Sequence, residues 1–276
     1  MTISDSEWIA FLQWCLPRLS LRWRGFRKVR RQVIRRLKAR FKTLGLESLE
    51  AYRLRLEQRP EEWDILASYC WITISRFYRD RDVFDQIRDL CFPSMVEQAL
   101  QGGQEPSLRI WSAGCASGEE PYTLKIIWEQ LYQAKCPQLS LQILAVDANP
   151  KMLERAKEGC YQASSVKELP QEWRASAFQD CGEELRIADT FREGIDFQLA
   201  LLQDVKPSED FHMILCRNLA FMYFSQERQK EILSYFMQKL RFGGFLVIGK
   251  HESLPVELPE LHTIGTHLCI FQKRTL

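Results

Sequence analysis

The feature that most constrains the fold is an alternation of short apolar runs with helical segments after residue 106. The runs and the segments that follow them are 108–111 then 119–133, 142–146 then 151–158, 211–215 then 226–240, and finally 245–248. Strands of a parallel sheet are buried on both faces, so they appear as continuous apolar runs. Strand–helix alternation therefore predicts a doubly wound, Rossmann-like α/β sheet.

The chain before this point has a different pattern. Apolar side chains recur three or four residues apart along one helical face, at Phe26, Val29, Val33, Leu37, Phe41 and Leu44. Further helices are predicted to start near 47–50 and 60–63, where acidic residues suit a first turn. We predict an all-helical domain over 1–100 and an α/β domain over 101–276, with the pattern changing at 101–106. Residues 185–187 and 195–197 have no helix between them and predict a small antiparallel insertion at about 181–205.

Composition excludes several classes of protein. The nine cysteines are odd in number and contain no CxxC pair, and the four histidines lack zinc spacing, so we expect reduced thiols and no metal. The first six residues lack a basic region followed by an apolar core, and no apolar stretch has the length of a membrane span. These features predict a cytoplasmic protein.

The loop after the first apolar run carries the clearest chemical signal. It reads WSAGCASGEEPY over residues 111–122, so small residues follow the strand directly and Gly114 and Gly118 allow a tight turn. The next helix opens with Glu119 and Glu120, which would repel a phosphate but suit a cationic ligand with hydroxyl groups, such as S-adenosyl-L-methionine. Asp147, at the tip of the second strand, is placed to accept from a ribose diol. The alternative is a simple tight turn whose acids cap a helix.

Four blocks occur in one order along the chain: SRFYRD at 75–80, WSAGCASGEEPY at 111–122, CRN at 216–218 with Tyr223 and Phe224, and LRFGGFL at 240–246 with GKHESL at 249–254. Over residues 24–254 the chain resembles the CheR family of bacterial chemotaxis-receptor methyltransferases. The resemblance implies a helical N-terminal domain, a class I methyltransferase domain and a β-subdomain. It also implies methyl-ester formation on receptor glutamates, with S-adenosyl-L-homocysteine as the product.

The resemblance also assigns site residues. Gly114 lies in the cofactor loop, Glu120 and Asp147 are expected to hold the cofactor, and Arg79 and Tyr223 are expected to act on the reacting groups. Further cofactor contacts are implied at Thr73, Ser75, Arg79, Leu201, Leu202, Cys216 and Arg217. Thr73, Ser75 and Leu201 differ from the residues usual in the family, and the segment 219–222 is one residue longer before Tyr223. These departures favour a divergent branch and leave the acceptor open.

The expected chemistry is an in-line displacement on a carboxylate, which is already ionised and needs no strong base. Arg79 would hold one acceptor oxygen, and Tyr223 would orient the other or contact the sulfonium. Alternatives are that Arg79 pairs with Asp80 or Asp82 and that Tyr223 is a core aromatic. Cys115 and Cys216 are expected to be small packing residues.

A basic segment lies between Glu7 and Glu47, where no acid occurs. It contains Arg18, Arg22, Arg24, Arg27, Lys28, Arg30, Arg31, Arg35, Arg36, Lys38, Arg40 and Lys42. In the family this helix faces the receptor, so we expect a docking face for a protein with acidic helices; a merely solvated face is the alternative. Nucleic acid is not expected, because aromatics such as Trp23 and Phe26 are too few for a stacking platform.

Three hypotheses therefore stand. The first is a protein-glutamate methyltransferase. The second is a methyltransferase for a small-molecule carboxylate or other metabolite. The third is a non-catalytic regulatory protein that binds S-adenosylmethionine or S-adenosylhomocysteine.

Overall fold

A computed structural model of the chain describes residues 3–101 and 107–274. The chain divides into two units, Met1–Ile72 with Met222–Gln229, and Thr73–Phe221 with Lys230–Leu276. Residues 73–100, which we assigned to the helical domain, are thus grouped with the sheet. The boundary that we predicted at 101–106 falls largely on residues outside the described ones and stays a prediction.

The described residues of the first unit up to Ile72 form the α-helices α1 (Asp5–Cys15), α2 (Trp23–Phe26), α3 (Arg30–Leu44), α4 (Leu49–Gln58) and α5 (Glu61–Tyr69). Their ends carry the expected capping chemistry. Ser4 forms a capping box with Glu7, Ser48 caps α4, and Gly45 ends α3 in the left-handed conformation. The helix starts predicted near 47–50 and 60–63 are confirmed.

The apolar stripe predicted from Phe26 to Leu44 is the buried face of α2 and α3. Phe26, Val33 and Leu37 are fully buried and pack with Trp8 and Phe11. The stripe does not form one helix, because α2 ends at Phe26 and α3 begins at Arg30. The apolar periodicity continues through this break, which is why the sequence pattern hides it.

A buried carboxylate ties three helices of this unit together. Glu62 is 1% exposed. Its oxygens accept from Arg40 of α3 at 2.8 and 2.9 Å, from Arg55 of α4 at 2.8 Å and from the Tyr52 hydroxyl at 3.0 Å. Burial alone would raise the pKa of Glu62, but these hydrogen bonds outweigh it and lower the pKa to about 2.

The second unit contains the main sheet. Its helices are α6 (Arg81–Gln86), continued by a π-helical turn (Ile87–Cys91) into α7 (Phe92–Gln101), then α8 (Glu119–Leu131), α9 (Pro150–Glu158) and α10 (Gln171–Ala177). Two further helices, α11 (Ala220–Tyr223) and α12 (Gln226–Lys239), are divided between the units, because Met222–Gln229 groups with the first. Its strands are β1 (Ser107–Ala113), β2 (Ser140–Asp147), β3 (Cys160–Gln162), β4 (Phe178–Cys181), β5 (Glu184–Ile187), β6 (Ile195–Leu199), β7 (Phe211–Cys216), β8 (Leu240–Ile248), β9 (Leu261–Thr263) and β10 (Ile270–Lys273).

Seven strands form the main sheet in the order β6-β2-β1-β7-β8-β10-β9. Neighbours from β6 to β8 run parallel, and β10 is antiparallel to both β8 and β9. β7 is buried at every position, as its continuous apolar run predicts. The predicted α/β class, with a mostly parallel sheet, is confirmed.

The small antiparallel sheet lies earlier than predicted. It is formed by β3, β5 and β4, so it spans 160–187. The placement of 195–197 in this insertion was wrong, because that run is β6, which pairs parallel to β2 at the edge of the main sheet. An edge strand with exposed Asp196, Gln198 and Leu199 lacks the continuous apolar signature of a central strand.

Among the described residues, no helix combines the length and the apolar character that crossing a membrane requires.

We expect Glu62→Gln to lower the free energy of unfolding at pH 7 by about 3–5 kcal/mol, because it removes the buried charge that Arg40 and Arg55 share. Urea denaturation measures this. Asp5→Asn is the matched control, since the Asp5–Arg30 pair is exposed and contributes less than about 1 kcal/mol.

The effect of Glu62→Gln on the free energy of unfolding should depend on pH. The folded pKa of Glu62, about 2, lies below its value of 4.5 in the unfolded chain, so its stabilisation is complete above pH 4.5 and is lost as the pH falls toward 2. The difference between wild type and Glu62→Gln should narrow below pH 4.5. A difference that widens on acidification would contradict this assignment.

Candidate functional site

The direction in which successive strands are added to the sheet reverses at β1, which makes β1 a topological switch point. The chain passes from β1 to β2 and β6 on one side and then returns to β7 on the other side. In open α/β sheets, ligands bind at the carboxyl ends of the strands beside such a switch point. The loops that begin at Gly114, Asp147 and Arg217 leave β1, β2 and β7 at this edge.

The turn after β1 is built on backbone geometry that glycine allows. Gly114 and Gly118 have φ angles of +93° and +89°. Gly118 caps the start of α8, and the N–H groups of Gly114 and Cys115 donate to the Val146 carbonyl of β2 at 2.8 and 2.9 Å. The turn is therefore fixed against the end of β2.

Asp147 holds this turn from the other side. Its Oδ2 accepts from the Ala116 N–H and its Oδ1 from the Asn149 N–H, both at 2.8 Å. Burial raises the pKa of Asp147, and the backbone N–H donors act in the opposite direction. The Asp147 carbonyl accepts from Ala200, which brings the loop carrying Leu201 and Leu202 to the same edge. Leu201 is 44% exposed there, while Leu202 is buried.

The buried Arg217, just after β7, forms an ion pair with the partly buried Glu120 of α8, which also contacts β1. Glu120 accepts from the Ser112 hydroxyl at 2.8 Å and from Arg217 at 3.2 Å. The Arg217 side chain is 4% exposed and also donates to the Arg79 carbonyl and to Asp80, both at 2.8 Å. Its guanidinium lies 4.9 Å above the Phe84 ring. Two of the predicted residues, Glu120 and Arg217, are thus in direct contact.

Glu119, which the sequence paired with Glu120 as a carboxylate suited to a cationic ligand, is the second acid of the turn. It is 2% exposed, and the Ser117 hydroxyl lies 2.9 Å from both of its oxygens. Ser75 also hydrogen-bonds to it, so the segment that begins at Thr73 is tied to the turn. Burial raises the pKa of Glu119. Ser75 and Ser117 are evident in the sequence, but only the folded structure shows that they hydrogen-bond to the buried carboxylate of Glu119.

Arg79 lies in a strained segment. Tyr78 and Asp80 on either side have φ angles of +56° and +59°, which non-glycine residues adopt rarely. The Arg79 guanidinium donates to the Ile74 carbonyl at 2.5 Å. Its predicted alternative partners are occupied elsewhere: Asp80 binds Arg217, and Asp82 binds Lys250 and, at 2.7 Å, His267.

Cys115 and Cys216 are both buried, and burial raises the pKa of each thiol well above its usual value. Nearby carboxylates act in the same direction, so neither thiol is activated as a nucleophile. This environment agrees with the expected packing role.

Tyr223 belongs to the helical unit. Its ring packs against Phe26 with centroids 5.0 Å apart, and its carbonyl accepts from the Arg22 N–H at 2.8 Å. Packing of this kind is what the core-aromatic alternative describes, and the catalytic role stays a prediction.

Glu252 also lies at this edge. It is 8% exposed, and its Oε2 accepts from the Gly249 N–H at 2.6 Å and from the Asn218 N–H at 2.8 Å. Burial raises the pKa of Glu252 to about 7, against the effect of these donors and of Arg217. The block GKHESL at 249–254 is evident in the sequence, but no local pattern predicts the contact between Glu252 and Asn218, which lie 34 positions apart. The neighbouring His251 is exposed.

The donor set fits S-adenosylmethionine by its chemistry. The edge presents two carboxylates, Glu120 and Asp147, suited to an ammonium group and a ribose diol. Each carboxylate has about four acceptor positions, of which Glu120 uses two and Asp147 three, so both retain capacity. Leu201 adds exposed apolar surface beside Asp147. In the part of the chain that the structure describes, no cluster of three or more potential metal ligands is found.

A family model described as "CheR methyltransferase, SAM binding domain" matches residues 73–267, more than half of the chain. The chain belongs to the CheR family. It is accordingly an S-adenosylmethionine-dependent methyltransferase, and the match begins at Thr73, where the sheet-containing unit also begins.

Similar proteins from several bacteria are named chemotaxis protein methyltransferases. A chemotaxis protein methyltransferase of Listeria innocua is 34% identical over 191 residues, which cover 69% of each chain. Chemotaxis protein methyltransferase 1 of Pseudomonas aeruginosa is 29% identical, covering 80% of this chain and 81% of that one. One of Borreliella burgdorferi is 26% identical, covering 79% and 78%.

We expect Arg217→Met to lower the free energy of unfolding by about 3–5 kcal/mol, because it leaves Glu120 and Asp80 without their shared cation. Urea denaturation at pH 7 checks this. The control is Arg81→Met, whose side chain is 65% exposed and lies 3.8 Å from Asp85, with an expected loss under about 1 kcal/mol. Equal losses in the two variants would show that the Arg217 network adds nothing.

Proposed function

We propose that this CheR-family enzyme transfers the methyl group of S-adenosylmethionine to glutamate side chains of a chemotaxis receptor, forming methyl esters in the cytoplasm. The relatives' names, chemotaxis protein methyltransferase, support the acceptor class. All nine cysteines are free thiols, which supports a reducing compartment. The observation that carries the choice of a protein acceptor is the exposed face of α3.

Four cationic side chains form a stripe on α3. Arg31, Arg35, Lys38 and Lys42 are exposed and follow the spacing i, i+4, i+7 and i+11, which places them on one face of the helix. We call this set the basic stripe. Within the described part of the chain, no salt bridge engages any of the four, whereas Arg30 and Arg40 of the same helix bind Asp5 and Glu62. The basic stripe is therefore available to an acidic helix of a partner.

The cofactor would lie at the sheet edge. In this proposal Asp147 accepts from the ribose hydroxyls, Glu120 faces the amino group, and the Gly114 turn admits the ligand close to the backbone. Leu201, Leu202, Cys216 and Arg217 border the adenine, and Thr73 and Ser75 border the turn from the preceding segment. The hydrogen bonds of Asp147 and Glu120 hold both carboxylates in place before the cofactor binds, which lowers the entropy lost on binding.

S-adenosylmethionine supplies a methyl group activated by its sulfonium. A glutamate carboxylate is ionised at neutral pH, so the chain needs no general base, and its task is to align the acceptor and exclude water. Arg79 is suited to hold one acceptor oxygen, because its guanidinium is only half-buried and its one described hydrogen bond leaves other N–H groups available. Tyr223 is proposed as the second catalytic residue.

The test is transfer of radiolabelled methyl from S-adenosylmethionine into an extract of the source cells, with protein and small-molecule fractions counted before and after mild base. Label on protein that mild base releases as methanol would support the glutamyl ester. Label confined to small molecules would favour a metabolite acceptor. Cofactor binding without label in either fraction would favour a regulatory protein.

We expect Arg79→Ala to lower kcat by roughly a hundredfold, because an oriented cation at the reacting carboxylate is lost. The Kd for S-adenosylhomocysteine, measured by calorimetry, should change much less than kcat. Arg76→Ala is the matched control, since Arg76 is exposed three residues earlier in the same segment. Unchanged kinetics in Arg79→Ala would remove Arg79 from the mechanism.

Charge reversal in the basic stripe should weaken acceptor binding. We expect Arg35→Glu with Lys38→Glu to raise KM for the acceptor protein by about tenfold at low salt, with a smaller effect at high salt because screening weakens the attraction. The control is Lys135→Glu with Lys151→Glu, two exposed lysines of the other unit. If both double variants behave alike, the stripe is a solvated helix face.

A further inference from the structure

Glu252 lies in the loop after β8, yet its bonds reach the loop after β7. Its Oε2 accepts from Gly249 of its own loop and from Asn218, at 2.6 and 2.8 Å. The Leu219 N–H also hydrogen-bonds to this carboxyl group. One buried carboxylate therefore joins two loops at the carboxyl edge of the sheet.

Burying this carboxylate is unfavourable in free energy, and this indicates that the geometry of the two loops requires the carboxylate. A carboxylate that is 8% exposed loses most of its hydration, and its other oxygen, Oε1, has no hydrogen-bond partner in the described part of the chain. Asn218 has a φ angle of +56°, in the left-handed region that non-glycine residues adopt rarely. The N–H groups of Asn218 and Leu219 point to Glu252 only while this strained turn is kept.

The turn held by Glu252 borders the proposed cofactor site on two sides. The Leu219 side chain touches the position that a Cβ atom on Gly114 would occupy, so Leu219 packs directly against the glycine turn. Arg217, immediately before Asn218, donates to Glu120, Asp80 and the Arg79 carbonyl. Displacing the turn would move Leu219 and Arg217 together.

The fit around Glu252 is close. A Cβ atom on Gly249 would lie 2.6 Å from the Glu252 Oε2 and 2.9 Å from the Asn218 nitrogen. Gly249 does not have a positive φ angle, so alanine is tolerated by the backbone there and is excluded only by these neighbours. The sequence GKHESL thus supplies both the carboxylate and the space that it needs.

We propose that Glu252 is a positioning residue for the cofactor site, acting through the Arg217–Leu219 turn rather than by touching the cofactor. The inference rests on the proposed cofactor position at the Gly114 turn, and it does not depend on which acceptor is methylated. Losing Glu252 could lower cofactor affinity through the displaced turn, or it could lower the overall stability of the protein. These two effects can be measured separately.

The experiment measures the Kd for S-adenosylhomocysteine by calorimetry and the melting temperature, in wild type, Glu252→Gln and Gly249→Ala. Gln keeps an acceptor oxygen but not the charge, and Gly249→Ala displaces the carboxylate without removing it. In both variants we expect Kd to rise roughly tenfold or more, as expected when a binding group is displaced by about an ångström. KM for S-adenosylmethionine should rise in parallel, with a smaller change in kcat at saturating cofactor.

Glu62→Gln is the stability control. It removes a buried acid of the other unit, so it should lower the melting temperature while leaving Kd for S-adenosylhomocysteine within about threefold. A Kd that rises equally in Glu62→Gln would assign the effect of Glu252 to general destabilisation and overturn the proposal. A wild-type Kd in a folded Glu252→Gln or Gly249→Ala protein would overturn it too.

Hydrogen exchange on the wild-type protein adds a measurement that needs no variant. The amides of Asn218, Leu219 and Gly249 should exchange slowly without cofactor; fast exchange would overturn the proposal, because the carboxylate would then not hold the turn. Failure of the proposed function would give a different result. If the wild-type protein does not bind S-adenosylhomocysteine, the proposed cofactor site itself is wrong. If the wild-type protein binds S-adenosylhomocysteine but methylates only metabolites, a receptor is ruled out as the acceptor and the proposed role of Glu252 is unaffected.

Discussion

The catalytic unit depends on one buried cation. Arg217 directly follows β7, and its guanidinium contacts both the start of α8 and the strained segment around Arg79. Each of these segments is a loop or a helix end that local hydrogen bonding alone does not fix. A planar group with five donors in a fixed geometry can bridge two carboxylates and a carbonyl at once, over a wider span than the compact ammonium of a lysine. The relative positions of Glu120, Asp80 and Arg79 therefore follow from Arg217.

The remaining charges at this edge are acidic, and their burial explains the kind of ligand that fits. Burial raises the pKa of Glu119, Asp147 and Glu252, which means that each ionised carboxylate is short of compensating positive charge. Backbone N–H groups and serine hydroxyls supply part of it. A sulfonium cofactor with an ammonium group would add further positive charge where it is lacking, whereas the phosphates of a dinucleotide would add to the deficit.

Much of the fold was predictable because it is recorded in local periodicity. The central strands, α8, α9, α12 and the buried face of α3 follow from apolar spacing. β6 was misplaced because an edge strand with exposed polar residues does not show that spacing. The carboxylates of the turn were predictable from one loop, but the pairing of Glu120 with Arg217 joins residues 97 positions apart. The left-handed turns at Tyr78, Asp80 and Asn218 are stabilised by tertiary contacts, so no propensity indicates them.

The two functions assigned to the chain differ in what holds their residues in place. Glu120 and Asp147, the acids proposed to hold the cofactor, are partly buried and their hydrogen bonds also support the fold, so substitution there is expected to cost stability as well as binding. The basic stripe consists of exposed side chains whose removal costs the fold little. Substitutions in the basic stripe are therefore expected to leave the carboxyl edge of the sheet unchanged. The acids of the glycine turn are therefore constrained by the fold itself, whereas the side chains of the basic stripe would be constrained only by a partner.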